Sequence, residues 1–235
     1  MYNEIFFSEI DSTNKYLKEN YKNFNNFTFV RTDYQSLGKG RNERKWDSNR
    51  GENLLFSLLI KDSKFLEKTG ILSLISAVCI SQNLEKLGVS NVSIKWPNDV
   101  YVNGKKICGI LLEGALPNYV VIGIGINVNQ NKFDGDFRAA PTSLCLELNK
   151  LIDKNNLKDQ IFQSLISLIS NIGDASVFFD YFNSHNYLKD REVSGIRNNI
   201  TIVGKVAGID NEFNLLVESD GFINKVSSGE ISIKF

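Results

Sequence analysis

The stretch KICGILLEGALPNYVVIGIGINV, residues 106–128, contains two apolar runs, KICGILLEG and YVVIGIGINV. Such runs, rich in Ile, Val and Leu and bounded by turn-forming residues, predict β-strands. Gly123 and Gly125 are two residues apart and therefore lie on one face of their strand. Without side chains they predict either a flat patch on which a ring could lie or tight packing against a helix.

Outward from this stretch, the chain alternates predicted strands and helices. VSIKW and DVYV read as strands, and Asn103-Gly104 supplies a tight hairpin turn before KICGILLEG. NLLFSLLI and NFTFVRT are further strands, and residues 64–87 carry apolar residues near a 3.6-residue period, which predicts one core-packed helix. Asp11 is predicted to cap a short helix over STNKYLKEN.

Beyond residue 128 the pattern predicts two helices and then a second group of strands. Helices are predicted around PTSLCLEL and from Leu157 to Phe182. From Arg191 onward, ITIVGKVAGI, FNLLVES, FINKV and EISIKF read as short strands of a small all-β, barrel-like module of about 45 residues. The expected organisation is a catalytic domain over residues 1–188 and a small domain over residues 189–235.

Composition excludes several classes of protein. Lys+Arg and Asp+Glu are both 27, so the overall charge gives no reason to expect DNA binding. No apolar run approaches the roughly 18 residues of a membrane span. The N-terminus has no basic segment followed by a long apolar one, so a cytoplasmic location is expected. Cys79, Cys108 and Cys145 are widely spaced, which predicts reduced, mostly buried thiols, and His185 is expected at a helix end or on the surface.

The polar stretch YQSLGKGRNERKW, residues 34–46, carries the densest charge in a segment predicted to be a long loop. It lacks the third glycine of a dinucleotide loop, and the chain has no P-loop motif. Cations on a glycine-rich loop can surround an anion with charge and backbone N–H groups. A solvated basic loop is the alternative.

Two further segments carry polar groups at strand ends. KWPND, residues 95–99, places a cation, a carboxamide and a carboxylate around Pro97, and could equally be a polar turn. Lys106 begins an apolar strand, where a lysine is either an edge residue or a charge directed at a ligand.

Taken in order, DSTN, YQ with GKGRNERKW, KWPND, GKKICGILLEG, GIGINVN, PTSL and SGEISIK resemble the biotin protein ligase family over nearly the whole chain. The resemblance implies an α/β (α+β) fold, in which a mixed β-sheet with helices on one side precedes a small C-terminal SH3-like β-barrel. It also implies activation of biotin by ATP to biotinyl-5′-AMP and transfer to one lysine of a biotin carboxyl carrier protein of acetyl-CoA carboxylase or a related carboxylase, with Mg²⁺.

The resemblance also implies residue roles. Lys106, Arg41 and Asp99 would be catalytic. The biotin-binding residues would be Ser12, Thr13, Gln35, Gly38, Lys39, Arg41, Lys106 and Gly109. The nucleotide-binding residues would be Arg41, Arg44, Trp46, Asn98, Lys106, Asn127 and Lys234.

By this resemblance the charged loop would be a lid over the adenylate. It departs from the family pattern GRGRxGRxW at Lys39 and Glu43, since lysine lacks the planar fork of arginine. Only ten residues precede Asp11, so no DNA-binding domain and no DNA partner are expected. A lipoate or octanoate ligase or transferase and a non-catalytic biotin or nucleotide sensor are the alternatives. The protein would be a monomer or a homodimer. An exposed edge strand such as VYVNG or YVVIGIGINV could pair across a dimer or dock the carrier protein.

Overall fold

The computed structural model describes residues 2–67, 69–135, 137–173, 176–197 and 200–227. The strands are β1 (Asn3–Phe7), β2 (Thr28–Thr32), β3 (Leu54–Ile60), β4 (Val92–Lys95), β5 (Asp99–Val102), β6 (Lys105–Ala115), β7 (Tyr119–Ile126), β8 (Glu192–Arg197), β9 (Ile200–Ile209), β10 (Leu215–Ser219) and β11 (Phe222–Val226). The helices are α1 (Thr13–Asn20), α2 (Ser63–Leu66), α3 (Thr69–Lys86), α4 (Leu144–Leu148), α5 (Lys154–Ser170) and α6 (Ser176–His185).

Seven strands form one mixed sheet in the order β1-β2-β3-β7-β6-β5-β4. β1 and β2 are parallel, and the other neighbours are antiparallel. The predicted α/β class and mixed sheet are therefore confirmed. The prediction of edge strands was wrong: β7 lies between β3 and β6, and β5 lies between β4 and β6, so that β1 and β4 are the edges.

The two faces of the sheet bury different sets of side chains. On one face, Phe29, Leu58 and Ile122 belong to the main core with α3 and α5. Their neighbours along the strands point the opposite way, and Leu59 and Val121 pack against Leu17 of α1. One helix thus lies on the face opposite the main core, so the expectation of helices on one side holds for α3 and α5 but not for α1. The rest of the α1 face is left for a binding site.

Two helix boundaries differ from the prediction. The single helix expected over residues 64–87 is α2 and α3, and the one from Leu157 to Phe182 is α5 and α6. In each case both pieces bury apolar side chains in the same core, as Phe65 of α2 and Leu72 of α3 do, so the apolar pattern continues across the break. The cap of α1 is Ser12 rather than Asp11, because the Ser12 side chain accepts from the Lys15 N–H.

The C-terminal strands form a separate antiparallel sheet in the order β11-β10-β9-β8, as expected for the small SH3-like module. The predicted strand EISIKF lies outside the described residues. The indole N–H of buried Trp96 donates to the Phe213 carbonyl at 2.9 Å and joins the KWPND segment to this module. Sequence reasoning missed β1, an edge strand, and β8.

Other predictions concern single residues. The three cysteines are free thiols; Cys79 and Cys108 are buried and Cys145 is half-buried. His185 is the last residue of α6, as expected, and contacts Glu85 at 3.0 Å. Among the described residues, no helix is long and apolar enough to cross a membrane.

Candidate active site

A cleft of about 780 Å³ opens on the α1 face of the sheet, a size typical of small-molecule sites. Its walls are the start of α1, the charged loop, the β4–β5 turn and strands β6 and β7. The predicted site residues that line it are Ser12, Thr13, Gln35, Lys39, Arg41, Arg44, Trp46, Asn98, Asp99, Lys106, Gly109 and Asn127. Gly38 is not among the lining residues, and Lys234 lies outside the described residues.

At one end of the cleft, α1 and the loop after β2 form a small polar pocket. The Gln35 side-chain oxygen accepts from both the Thr13 N–H, at 2.8 Å, and the Thr13 hydroxyl, at 3.0 Å. Thr13 is buried, so these bonds are shielded from water. These bonds orient the Gln35 side chain, so the pocket can distinguish the hydrogen-bonding pattern of a neutral ligand.

The glycines of the central strands make room for Trp46. Gly109 of β6 pairs with Gly125 of β7. A Cβ atom at Gly125 would lie 2.5 Å from Trp46 Cε2, and one at Gly109 would lie 2.8 Å from Cζ3. The flat patch predicted from the sequence is thus covered by a ring of the protein itself. Gly123 serves a different neighbour, because a Cβ atom there would lie 2.3 Å from Asn14 Oδ1.

Lys106 and Asp99 form an ion pair in the middle of the cleft. Lys106 Nζ lies 2.7 Å from Asp99 Oδ1, with both side chains largely buried, although the angles are not those of a hydrogen bond. Lys106 Nζ also lies 5.5 Å from the centre of the Trp46 ring. The backbone N–H of Lys106 donates to the Ala140 carbonyl and its carbonyl accepts from the Thr142 N–H, which fixes the Lys106 backbone against this segment. A cation and a carboxylate are therefore fixed where they can act on a bound ligand.

Arg41 reaches from the charged loop to the β4–β5 turn. Its guanidinium donates to Asn98 Oδ1 at 3.3 Å, and Asn98 in turn donates to the Ile110 carbonyl at 2.6 Å. Burial lowers the pKa of Arg41, and the charge of Arg44 adds to this, while Asp99 opposes it. An anion in the cleft would relieve this desolvated positive charge.

Lys95 is a site residue that the sequence analysis did not predict, although it lies in the KWPND segment. Lys95 lies opposite Asp99 in the β4–β5 ladder, lines the cleft and contacts the Tyr101 hydroxyl at 3.3 Å. Burial lowers its pKa to about 8, the charges of Arg138 and Lys106 act in the same direction, and Asp99 opposes them. Arg138 was also missed, because it lies in a stretch without periodicity.

Asn127, just after β7, presents an unused acceptor. Its amide nitrogen donates to the Thr142 carbonyl at 2.9 Å, which turns Oδ1 the other way. Asn127 Oδ1 and Trp46 Nε1 are buried and have no hydrogen-bond partner among the described residues. Buried polar atoms of this kind usually find partners, so both are suited to a ligand.

Backbone hydrogen bonds join the two sides of the charged loop, so the loop has a defined conformation. The backbone N–H of Trp46 donates to the Gly38 carbonyl at 2.9 Å, and the backbone N–H of Gly40 donates to the Arg44 carbonyl at 2.6 Å. Asn42 takes a left-handed backbone with φ of 56° at the tip. We call residues 38–46 the lid loop. Among the described residues, no cluster of His, Cys, Asp and Glu could hold a metal ion unaided.

Comparison with known proteins identifies the family of the chain. Residues 6–131 match the model of the biotin/lipoate A/B protein ligase family. The chain belongs to this family. A biotin protein ligase from Aquifex aeolicus, solved in complex with biotin and ATP, is 30% identical with a TM-score of 0.90, and the match covers 100% of this chain and 99% of that one. The family resemblance stated from the motifs is thereby confirmed.

Two curated members of the family are named bifunctional ligase/repressor BirA. The one from Bacillus subtilis is 34% identical over 88% of this chain and 66% of its own length. The one from Escherichia coli is 32% identical over 96% of this chain and 72% of its own length. The chain thus spans about two thirds of the length of these relatives.

Proposed function

We propose that this protein is an ATP-dependent biotin protein ligase. It would activate biotin as biotinyl-5′-AMP and transfer it to one lysine of a biotin carboxyl carrier protein. The observation that carries the proposal is the Lys106–Asp99 pair, which lies in the same cleft as the polar pocket of Thr13 and Gln35. The Aquifex aeolicus ligase, in complex with biotin and ATP, supports it.

In the first step, a carboxylate oxygen of biotin attacks the α-phosphorus of ATP. The new O–P bond forms as the bond to pyrophosphate breaks. Both reactants are anions, so fixed cations must offset their repulsion and the charge of the transition state. Lys106 would bridge the carboxylate and the α-phosphate, and Arg41 and Arg44 would contact the phosphates.

Mg²⁺ would enter with ATP and neutralise phosphate charge. The cleft suits an ion carried mainly by phosphate and water, because Asp99 stands among cations rather than in a carboxylate cage. Asp99 and Asp47 both line the cleft, and Asp99, beside Lys106, would accept hydrogen bonds from the water around such an ion.

The adenine would lie against Trp46, whose ring covers the glycine strands. Trp46 would stack on the ring, and the Asn127 Oδ1 acceptor would take a hydrogen bond from the exocyclic amine. Asn98, held by Ile110, would line the phosphate end, and Lys39 and Gly38 would shape the lid loop over biotin. Lys234 would add a cationic contact from the C-terminal module.

In the second step, the amine of the carrier lysine attacks the biotinyl carbonyl and AMP leaves. The amine must be neutral to attack, and Asp99 would orient it and accept its proton. The lid loop would exclude water from the mixed anhydride until the carrier docks. We place the catalytic domain at residues 1–188 and the small domain at residues 189–235, in a cytoplasmic monomer or homodimer.

Catalytic turnover tests the proposal. Enzyme at about one hundredth of the concentration of an apo carrier domain, with biotin and Mg-ATP, should convert the whole carrier to the singly biotinylated form by mass spectrometry. Carrier with its target lysine changed to arginine is the control. Binding of biotin without turnover would contradict the proposal and favour a sensor.

A further inference from the structure

A chain of polar groups, buried except at its half-buried far end, runs away from the biotin end of the cleft. It begins at Thr13 and passes through Ser57 of β3 and Asn14 of α1 to Glu113 of β6. Ser57 Oγ lies 2.7 Å from Thr13 Oγ1 and 2.5 Å from Asn14 Oδ1. Asn14 Nδ2 lies 2.8 Å from Glu113 Oε2. We call these four residues the relay.

Glu113 fixes the orientation of the Asn14 side chain. An ionised carboxylate can only accept hydrogen bonds. One oxygen of Glu113 is bonded to Lys18, and the other therefore accepts from the amide nitrogen of Asn14. Asn14 Oδ1 must then face Ser57. Gly123 leaves room for this amide, because a Cβ atom there would overlap it.

This orientation decides where the hydroxyl protons point. Ser57 has one proton, and it goes to Asn14 Oδ1, which can only accept. Ser57 then has no proton left for Thr13, so both neighbours of the Thr13 hydroxyl, Ser57 Oγ and Gln35 Oε1, are acceptors toward it. Its single proton goes to Gln35 Oε1. The Thr13 proton therefore stays within the protein, and its lone pairs are left for a ligand.

Gln35 is oriented by the same logic. The Thr13 backbone N–H can only donate, so the side-chain oxygen of Gln35 faces it. The Gln35 amide group is left as a donor. The pocket thus offers one acceptor and one donor side by side, which matches an N–H next to a C=O in a cyclic urea. A dithiolane or alkyl chain has neither group.

We infer that Ser57, Asn14 and Glu113 are positioning residues that set the proton direction at Thr13 and so select a ureido ring over a dithiolane ring. This inference rests on the proposed function. It also explains why a serine and an asparagine are buried at 0% and 5% exposure beside an apolar strand.

The test is a charge swap along the relay. Asn14→Asp sets two acceptors against each other and should raise the KM for biotin about ten-fold or more. Glu113→Gln lets the Asn14 amide turn either way and should raise it about three- to ten-fold. The double variant Asn14→Asp with Glu113→Gln restores a donor facing an acceptor. Its KM for biotin should return to within about three-fold of the parent.

ATP–pyrophosphate exchange with biotin gives these constants, and the KM for ATP should stay within about two-fold throughout. Asn20→Asp, the same change at the end of α1, is the matched control. Thermal unfolding reports whether each variant folds; Glu113→Gln, at a half-buried site, gives a reading even if Asn14→Asp does not fold. Additive losses in the double variant, or equal changes in both KM values, would overturn the inference. No exchange by the parent protein would instead refute the proposed function.

Discussion

Asp99 has a different partner in each of the two proposed steps. In the structure it pairs with Lys106 at 2.7 Å and lies opposite Lys95 in the β4–β5 ladder. Adenylate formation uses the cation of this pair, whereas transfer uses the carboxylate. The two steps should therefore respond differently when the carboxylate alone is changed.

Asp99→Asn removes the charge and keeps the shape. Exchange of pyrophosphate with biotin should fall by less than about ten-fold, while biotin transfer to the carrier falls about a hundred-fold or more, since the proton acceptor is lost. Single-turnover transfer from preformed adenylate measures the second step. Asp180→Asn, an exposed change on α6, is the control. Equal losses in both steps would contradict the assignment.

Lys95 predicts a pH effect on stability. Its pKa is about 8 in the folded protein, below its ordinary value of 10.5. Below pH 8 the charge is buried at a cost; between pH 8 and 10.5 the folded form loses the proton before the unfolded form does, so stability rises. Lys95→Met should therefore be more stable than the parent at pH 7, by about 1 kcal/mol, with weaker ATP binding.

Chemical denaturation at pH 7 and pH 10 checks this prediction. The advantage of Lys95→Met should shrink as pH rises. Lys105→Met, at the exposed start of β6, should follow the parent at both values. A constant advantage across the range would show that Lys95 is not titrating as described.

At the level of a single element, the two glycines of β7 support different parts of the cleft, one for biotin and one for ATP. Gly123 makes room for Asn14 and Gly125 makes room for Trp46. Gly123→Ala should raise the KM for biotin, and Gly125→Ala should raise the KM for ATP, each by about ten-fold, because each methyl group displaces a different neighbour. Each variant is the control for the other in exchange assays. The reverse pattern would contradict the placement of the two substrates.

The lid loop depends on Arg41, which ties it to Asn98. Arg41→Gly should release biotinyl-5′-AMP and label bystander lysines, because the loop no longer closes over the anhydride. Labelling of serum albumin in the presence of the enzyme, biotin and ATP measures this. Arg50→Gly, an exposed arginine after the loop, is the control. Carrier selectivity equal to that of the parent would argue against the lid.

Some strands and turns were predicted correctly from the sequence, whereas helix breaks and strand order were not. The buried strand β3 and the tight turn at Asn103-Gly104, where both residues have positive φ, were predicted correctly. The breaks between α2 and α3 and between α5 and α6 were missed, because apolar periodicity records which side is buried and not where the chain turns. Edge positions were also missed, since strand order depends on contacts far apart in sequence.

At the level of the whole molecule, the motifs contain most of the residues that line the cleft, but they do not show which residues hold one another in place. Ser57 reads as part of the apolar run NLLFSLLI, and Glu113 as the end of a strand. Only the fold brings them together with Asn14, across 43 and 99 positions of sequence. Lys95 belongs to KWPND, but its position beside Asp99 follows only from the pairing of β4 with β5.

ATP–pyrophosphate exchange by the purified protein with Mg²⁺, using biotin, lipoate, octanoate or no acid, tests the proposed activity and its acid specificity together. A urea-reading pocket beside the Lys106–Asp99 pair predicts exchange with biotin alone. Exchange with lipoate or octanoate would move the protein to the lipoate side of its family and contradict the reading of Thr13 and Gln35. No exchange with any acid would contradict the proposed activity itself.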